Sequence, residues 1–149
     1  MVLIETKWKG NTLITRAIET IDTPPDTIAK THTKRGYGKL MGIDYTRFEM
    51  DDNTITCSFQ QKFAFKTLTM NFVKEVRKVE NKIIIFYHTV DSPANLHGRW
   101  IIHPNGRGSK VCLVQESRIP GWARWLPGVE SLITGKIKKI FDQLKKIVI

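Results

Sequence analysis

The chain has 149 residues, 41% of them hydrophobic and 26% charged, and a net charge of +10 at neutral pH. These values fit one globular domain, residues 1–149, long enough to bury a real core. They exclude a helical membrane span, because no apolar run approaches the ~20 residues that a span needs. Residues 1–10 lack the apolar core and the cleavage site of a signal peptide. That points to an intracellular protein, or to one whose targeting segment has been removed. Cys57 and Cys112 are too few for a disulfide framework and have no metal-ligand spacing. Each lies in a strand-like run and reads as a buried reduced thiol. No metal or cofactor is expected. The positive charge is spread along the chain, with one local cluster at Lys30, Lys34, Arg35 and Lys39 and His32 among them. Such charge suits an anionic membrane surface or an acidic macromolecular partner, and equally a merely solvated surface. No RNA-binding signature accompanies it, so nucleic acid read by sequence is not expected.

Asn11 to Asp22 reads as a strand, with Leu13, Ile14, Ile18 and Ile21 set among threonines. Asp22-Thr23-Pro24-Pro25-Asp26 then breaks the chain. Thr23 is a candidate N-cap, and either proline suits a first helical turn. A short helix, weakened by threonines, is expected over Asp26 to Thr33. Gly36-Tyr37-Gly38 ends it, and Gly42 allows another bend. Strand pattern returns at Ile43 and reaches the turn Asp51-Asp52-Asn53. Ile55, Cys57, Phe59, Gln61, Phe63 and Phe65 alternate with Thr54, Thr56, Ser58, Gln60, Lys62 and Ala64. This is the cleanest period-two run in the chain and implies one buried and one wet face. Leu68, Met70 and Phe72 continue in another strand, followed by a basic tail to Lys78. After a turn at Glu80-Asn81, Ile83 to Val90 forms a compact strand. Leu96, Gly98, Trp100 and Ile102 share one face of the next. Pro104 to Gly108 makes a hairpin turn, and Lys110 to Arg118 is the last strand. From Val129 the apolar residues Leu132, Ile133, Ile137, Ile140, Phe141, Leu144, Ile147 and Val148 recur at helical spacing, predicting one long helix to Ile149. Lys136 and Gln143 border that stripe.

About seven strands joined mostly by short turns form an antiparallel sheet, so the class is α+β. The element order then resembles a known family. A strand, a Pro-Pro break with a helix, a six-strand meander and a long C-terminal helix are the plan of the START-like (SRPBCC) superfamily, the helix-grip fold. Three stretches carry the resemblance: Ile21-Asp22-Thr23-Pro24-Pro25-Asp26, Gly98-Arg99-Trp100, and Ile119-Pro120-Gly121-Trp122-Ala123-Arg124-Trp125-Leu126-Pro127. The last is similar to the loop that enters the gripping helix in the polyketide cyclase and coenzyme Q-binding branches. The resemblance spans nearly the whole chain. It implies a curved sheet wrapped around the C-terminal helix, with a cavity between them. In that family the first helical segment is usually longer and carries aromatics over the pocket mouth. Here Ile28 to Leu40 is short, polar and basic, which implies a pocket less fully covered.

By alternation, Ile55, Phe59, Phe63, Phe65, Met70, Phe72 and Trp100 face the gap, with Ile133, Ile137 and Phe141 opposite. They line a ligand cavity or simply fill a core; periodicity does not separate the two. Phe86 and His88 of the compact strand are counted with the cavity. Gln61 and Gln115 stand on apolar strand faces, where an unpaired amide costs a few kcal/mol, so each meets a ligand or a protein partner. Arg99 and Glu116 lie on neighbouring strands and are expected to pair across them. Trp122 and Trp125, with Arg124 between, suit a membrane interface or a packed sheet rim. Three functions compete. The first is binding or transfer of a hydrophobic small molecule, a lipid, isoprenoid or quinone. The second is an accessory subunit that binds a larger assembly through its basic surface, with a vestigial pocket. The third is a polyketide cyclase or dehydratase. It needs an acid–base group in the pocket, for which only His88 and Glu116 qualify, and no dyad is visible, so no catalytic residue is assigned.

Overall fold

The structure, a computed structural model, describes residues 2–63, 66–92, 94–119 and 128–147. Eight strands form one antiparallel sheet: β1 (Leu3–Lys9), β2 (Thr12–Ile21), β3 (Tyr45–Asp51), β4 (Thr54–Phe63), β5 (Lys66–Val79), β6 (Lys82–Thr89), β7 (Asn95–Asn105) and β8 (Gly108–Arg118). Their spatial order is β1-β2-β8-β7-β6-β5-β4-β3. Every neighbour in the sheet is a neighbour in sequence except β2 and β8, so the first hairpin docks beside the last strand. Helix α1 (Pro25–Thr33) and a 3-10 segment (Arg35–Met41) bridge β2 to β3, and α2 (Val129–Lys145) ends the chain's regular structure.

The sheet has one strand more than the seven expected. β1 escapes a pattern reading because none of its residues is fully buried: Leu3, Glu5, Lys7 and Lys9 are exposed, and Ile4, Thr6 and Trp8 only half-buried. An edge strand of this kind shows no apolar face. Two further boundaries differ. Thr23 does not cap α1; it is buried, and its carbonyl accepts a 2.6 Å hydrogen bond from Ser109 Oγ. Pro24 is the N-cap and offers no side-chain bond. Gly36-Tyr37-Gly38 does not end helical structure, which continues as the 3-10 segment until Gly42, at φ +77°, turns the chain.

The core lies between the concave face of the sheet and α2. Strand parity sends Ile55 and Cys57, Met70 and Phe72, Ile83 and Ile85, Trp100 and Ile102, and Val111 and Leu113 inward. From α2, Ile137, Phe141 and Leu144 meet them. The Phe141 ring lies 5.5 Å from Trp100 between centroids. Gly98 on β7 leaves room for the Tyr87 phenol to cross toward β8, where its hydroxyl donates to Gln115 Oε1 at 2.5 Å.

Helix α2 is tied at both ends. At its start Glu130 accepts from Thr6 Oγ1, and from Trp8 Nε1 at 3.4 Å, both on β1. At its end Lys145 Nζ lies 2.6 Å from Glu19 Oε1, on the inner face of β2. Burial opposes charge on Glu19, but hydrogen bonding and positive charge beside it, Lys145 first, hold its carboxyl below its ordinary value.

This packing makes stability depend on pH and on one glycine. A folded-state value below the ordinary 4.5 means that ionised Glu19 favours the fold; its contribution is full above 4.5 and is lost as pH falls through the lowered value. Urea midpoints measured from pH 7 to pH 3 should therefore fall less steeply for Glu19→Gln than for the parent, starting from a lower midpoint at pH 7. Parallel curves would remove the ion pair from the account. At Gly98, an added Cβ would stand 2.3 Å from the Val114 carbonyl oxygen and 2.9 Å from the Tyr87 hydroxyl. Gly98→Ala should cost about 1–3 kcal/mol in urea unfolding, since neither the strand nor the ring can give way freely.

Candidate functional site

A cavity of about 410 Å³ lies between the sheet and the stretch of α2 from Val129 to Ile140. Its walls come from every layer of the fold. β4 supplies Phe59 and Gln61; β5 supplies Leu68, Met70, Phe72 and Lys74; Tyr87, Leu96, Trp100, Leu113 and Gln115 come from β6, β7 and β8. Val129, Ile133, Lys136, Ile137 and Ile140 face them from α2, and His32, Met41 and Ile43 close one side.

Of the residues expected to face a ligand, Phe59, Gln61, Met70, Phe72, Trp100, Gln115, Ile133 and Ile137 line this cavity. Phe141 does not; it is fully buried in the core behind Trp100. Phe86 and His88 are on the wrong face. On β6 the inward parity belongs to Ile83, Ile85 and Tyr87, which turns Phe86 and His88 outward. Phe86 is covered by the Arg77 guanidinium, 5.2 Å from its ring centre, and His88 is exposed opposite His97. Glu116 also faces outward and contacts His97 Nε2, not Arg99, because the register sets His97 opposite Glu116 and Arg99 opposite Val114. Neither of the two acid–base candidates therefore reaches the cavity. Phe65, Trp122, Arg124 and Trp125 lie outside the described residues, as does the side chain of Phe63.

The amides answer differently. Gln115 is satisfied within the protein, accepting from Tyr87 and donating to Ser117 Oγ at 3.2 Å. Burial pushes the Tyr87 phenol well above its ordinary value, so it stays a donor. Gln61 lines the cavity half-buried, and no side-chain hydrogen bond reaches it among the described residues.

The polar centre of the cavity lies outside what the sequence pattern led us to expect. Lys74 is buried on the inner face of β5, its Nζ 3.2 Å from His32 Nδ1 and 3.1 Å from the Tyr45 hydroxyl. Tyr45 in turn donates to the Thr31 carbonyl at 3.3 Å. Burial, and then the positive charge of Lys74, push His32 well below its ordinary value, so the ring is neutral at pH 7. An ammonium can only donate, so Nδ1 accepts and the ring proton sits on Nε2, which is buried without a hydrogen-bond partner. A signal for Lys74 exists in the sequence. Leu68, Met70 and Phe72 set an inward parity that positions 74 and 76 continue, and the charge at 74 hides it. His32 likewise leaves the surface cluster: it is buried against Trp100, ring centres 5.3 Å apart. Lys34, Arg35 and Lys39 stay exposed, while Lys30 is half-buried with its Nζ 5.8 Å from the Tyr37 ring.

Cys57 is buried and Cys112 half-buried, and burial pushes both thiols up, which disfavours the thiolate. No group of metal-ligating side chains occurs among the described residues. No helix among them is long and apolar enough to cross a membrane.

No protein-family model and no curated protein sequence matches the chain. Solved structures do. TTHA0849 from Thermus thermophilus superposes with a TM-score of 0.72 at 17% identity, over 89% of this chain and 94% of that one. The Zhui aromatase/cyclase from Streptomyces sp. R1128 gives 0.70 at 12% identity, over 90% and 92%. The lipid transfer and protein localization domain of human StarD13 gives 0.69 at 12% identity, over 97% and 90%. Identities this low carry the fold alone. With its curved antiparallel sheet closed by a C-terminal helix, the chain has the START-like (SRPBCC) helix-grip fold.

Proposed function

We propose that the chain binds and carries a hydrophobic small molecule of the lipid, isoprenoid or quinone kind, residues 1–149 acting as one START-like unit. The observation that carries this reading is the cavity itself. About 410 Å³ is kept open by Phe59, Phe72, Trp100, Leu113 and Ile133, side chains large enough to fill it had the helix settled deeper. That volume falls within the usual range of small-molecule sites, and the few polar groups on an apolar wall are their usual lining. A lipid transfer domain and an aromatase/cyclase among the similar structures support the same class of ligand. Binding is preferred over catalysis because His88 and Glu116 face away from the cavity.

Delivery to or from an anionic membrane is the second part of the reading. The 3-10 segment presents Tyr37 and Leu40, 40% and 39% exposed, among Lys34, Arg35 and Lys39, and its end, Met41, lines the cavity. An apolar tip ringed by cations suits an anionic lipid surface, at roughly 1 kcal/mol per basic residue.

Native mass spectrometry of protein from its natural source should show a bound apolar molecule. Nile red, a neutral apolar dye, should bind the parent and lose about ten-fold in affinity in Ile133→Trp, which fills the cavity from α2. Equal binding in both proteins would sink the cavity reading. Sedimentation with phosphatidylserine vesicles, but not with pure phosphatidylcholine vesicles, tests the second part. The Lys34→Glu/Lys39→Glu double variant should lose the difference, and a difference that survives would move the contact elsewhere.

A further inference from the structure

The charge inside the cavity is one-sided. Among the described residues, Lys74, Arg118 and Lys136 are the charged residues of its wall, and no carboxylate is among them. Lys74 is the deepest of these cations, only 5% exposed. Its two hydrogen-bonding partners, His32 and Tyr45, are neutral acceptors, and no carboxylate pairs with it among the described residues. An ammonium buried without a counter-charge is costly, several kcal/mol even after relaxation, and neutral acceptors recover only part of that. An ammonium has three donors, and two are used. The third has no partner among the described residues, while the orphan Nε2–H of His32 lies on the far side of the ring, sealed from the cavity.

We propose that the ligand of this cavity is a lipophilic acid, whose carboxylate supplies the missing negative charge to Lys74 while its hydrocarbon part lies against the aromatic and aliphatic wall. This deepens the hydrophobic-ligand reading and rests on it. A carboxylate fits better than a phosphate. The one spare ammonium donor meets a single negative charge, whereas a phosphate dianion requires a larger shell of donors. Lys136 and Arg118 extend the same sign of potential along the wall and favour entry of an anion.

The test compares octanoate, dodecanoate and hexadecanoate, each against its own methyl ester, by isothermal titration calorimetry. At least one acid should bind the parent about ten- to hundred-fold tighter than its ester. Lys74→Met should bring the two affinities together while leaving ester binding in place. Lys74→Arg should keep most of the preference. If acid and ester bind the parent equally, the acid proposal is overturned while the cavity reading stands. If Nile red and every one of these probes fail to bind, the hydrophobic-ligand reading falls as well. A preference that survives in a folded Lys74→Met protein also overturns the assignment and moves it to Arg118 or Lys136. A second measurement needs no variant. In ¹⁵N-resolved spectra of the parent's lysine ammonium groups, the buried Lys74 resonance should move on adding the preferred acid and stay in place with its ester. An unmoved resonance at saturating acid refutes the contact.

Discussion

The long helix α2 covers the concave face of the sheet beside the short α1 and the 3-10 segment, and it is pinned at both ends. Glu130 binds Thr6 and Trp8 at its start, and Lys145 meets the buried Glu19 at its end. Between these points the helix cannot sink onto the sheet uniformly. Its second half does: Ile137, Phe141 and Leu144 are buried against the core. Its start stands off, with Val129 and Ile133 half-buried and Leu132 41% exposed. The Trp100–Phe141 contact sits where the helix turns from packed to raised. The cavity is thus a consequence of how the helix is held, and Phe59, Phe72 and Tyr87, in a continuous chain of ring contacts at 5.4 and 5.9 Å, keep the opposite wall from collapsing into it.

The same geometry explains why Lys74 is tolerated and why stability alone does not account for it. In a filled interior, Met or Leu at that position would pack as well without the desolvation cost of a charge. Lys74 instead occupies the middle of a polar line that runs from the Thr31 carbonyl through Tyr45 to His32. Each member of that line accepts or donates without carrying negative charge. Burial and the charge of Lys74 keep His32 neutral, and no carboxylate pairs with Lys74 among the described residues.

Much of the fold is legible because the strands of an antiparallel sheet write their burial into a period of two. Phe59, Gln61, Met70, Phe72, Trp100 and Gln115 follow from that period, and they face the cavity. The departures have physical sources. Phe86 and His88 sit in a strand that is apolar on both faces, Ile84 and Phe86 being half-buried on the outer one, so composition could not choose the parity. β1 is invisible because an edge strand needs no apolar face. Lys74 is hidden because charge reads as a sign of solvent. His32 is hidden because three exposed basic neighbours make it look like one of them. Both of the last two are buried polar groups, whose placement depends on partners forty-two positions apart in sequence, and no local pattern encodes such a pair.

The short first helical region shows how a brief polar segment can still close a wall. Its sequence is weak in helix formers and rich in charge, which suggests a pocket left partly uncovered. The chain compensates by folding the region in two pieces at different angles. α1 buries Ile28, Ala29, Thr31 and His32, and the 3-10 segment folds back to bring Met41 to the cavity near α2. Gly38 permits this return, because a Cβ there would stand 2.4 Å from the Tyr45 ring that packs on it. Tyr45 is in turn the residue that accepts from Lys74. The turn that completes the wall therefore also positions the polar centre, so the closure of the cavity and the placement of its buried charge are one structural problem, solved by one tyrosine packed on a glycine.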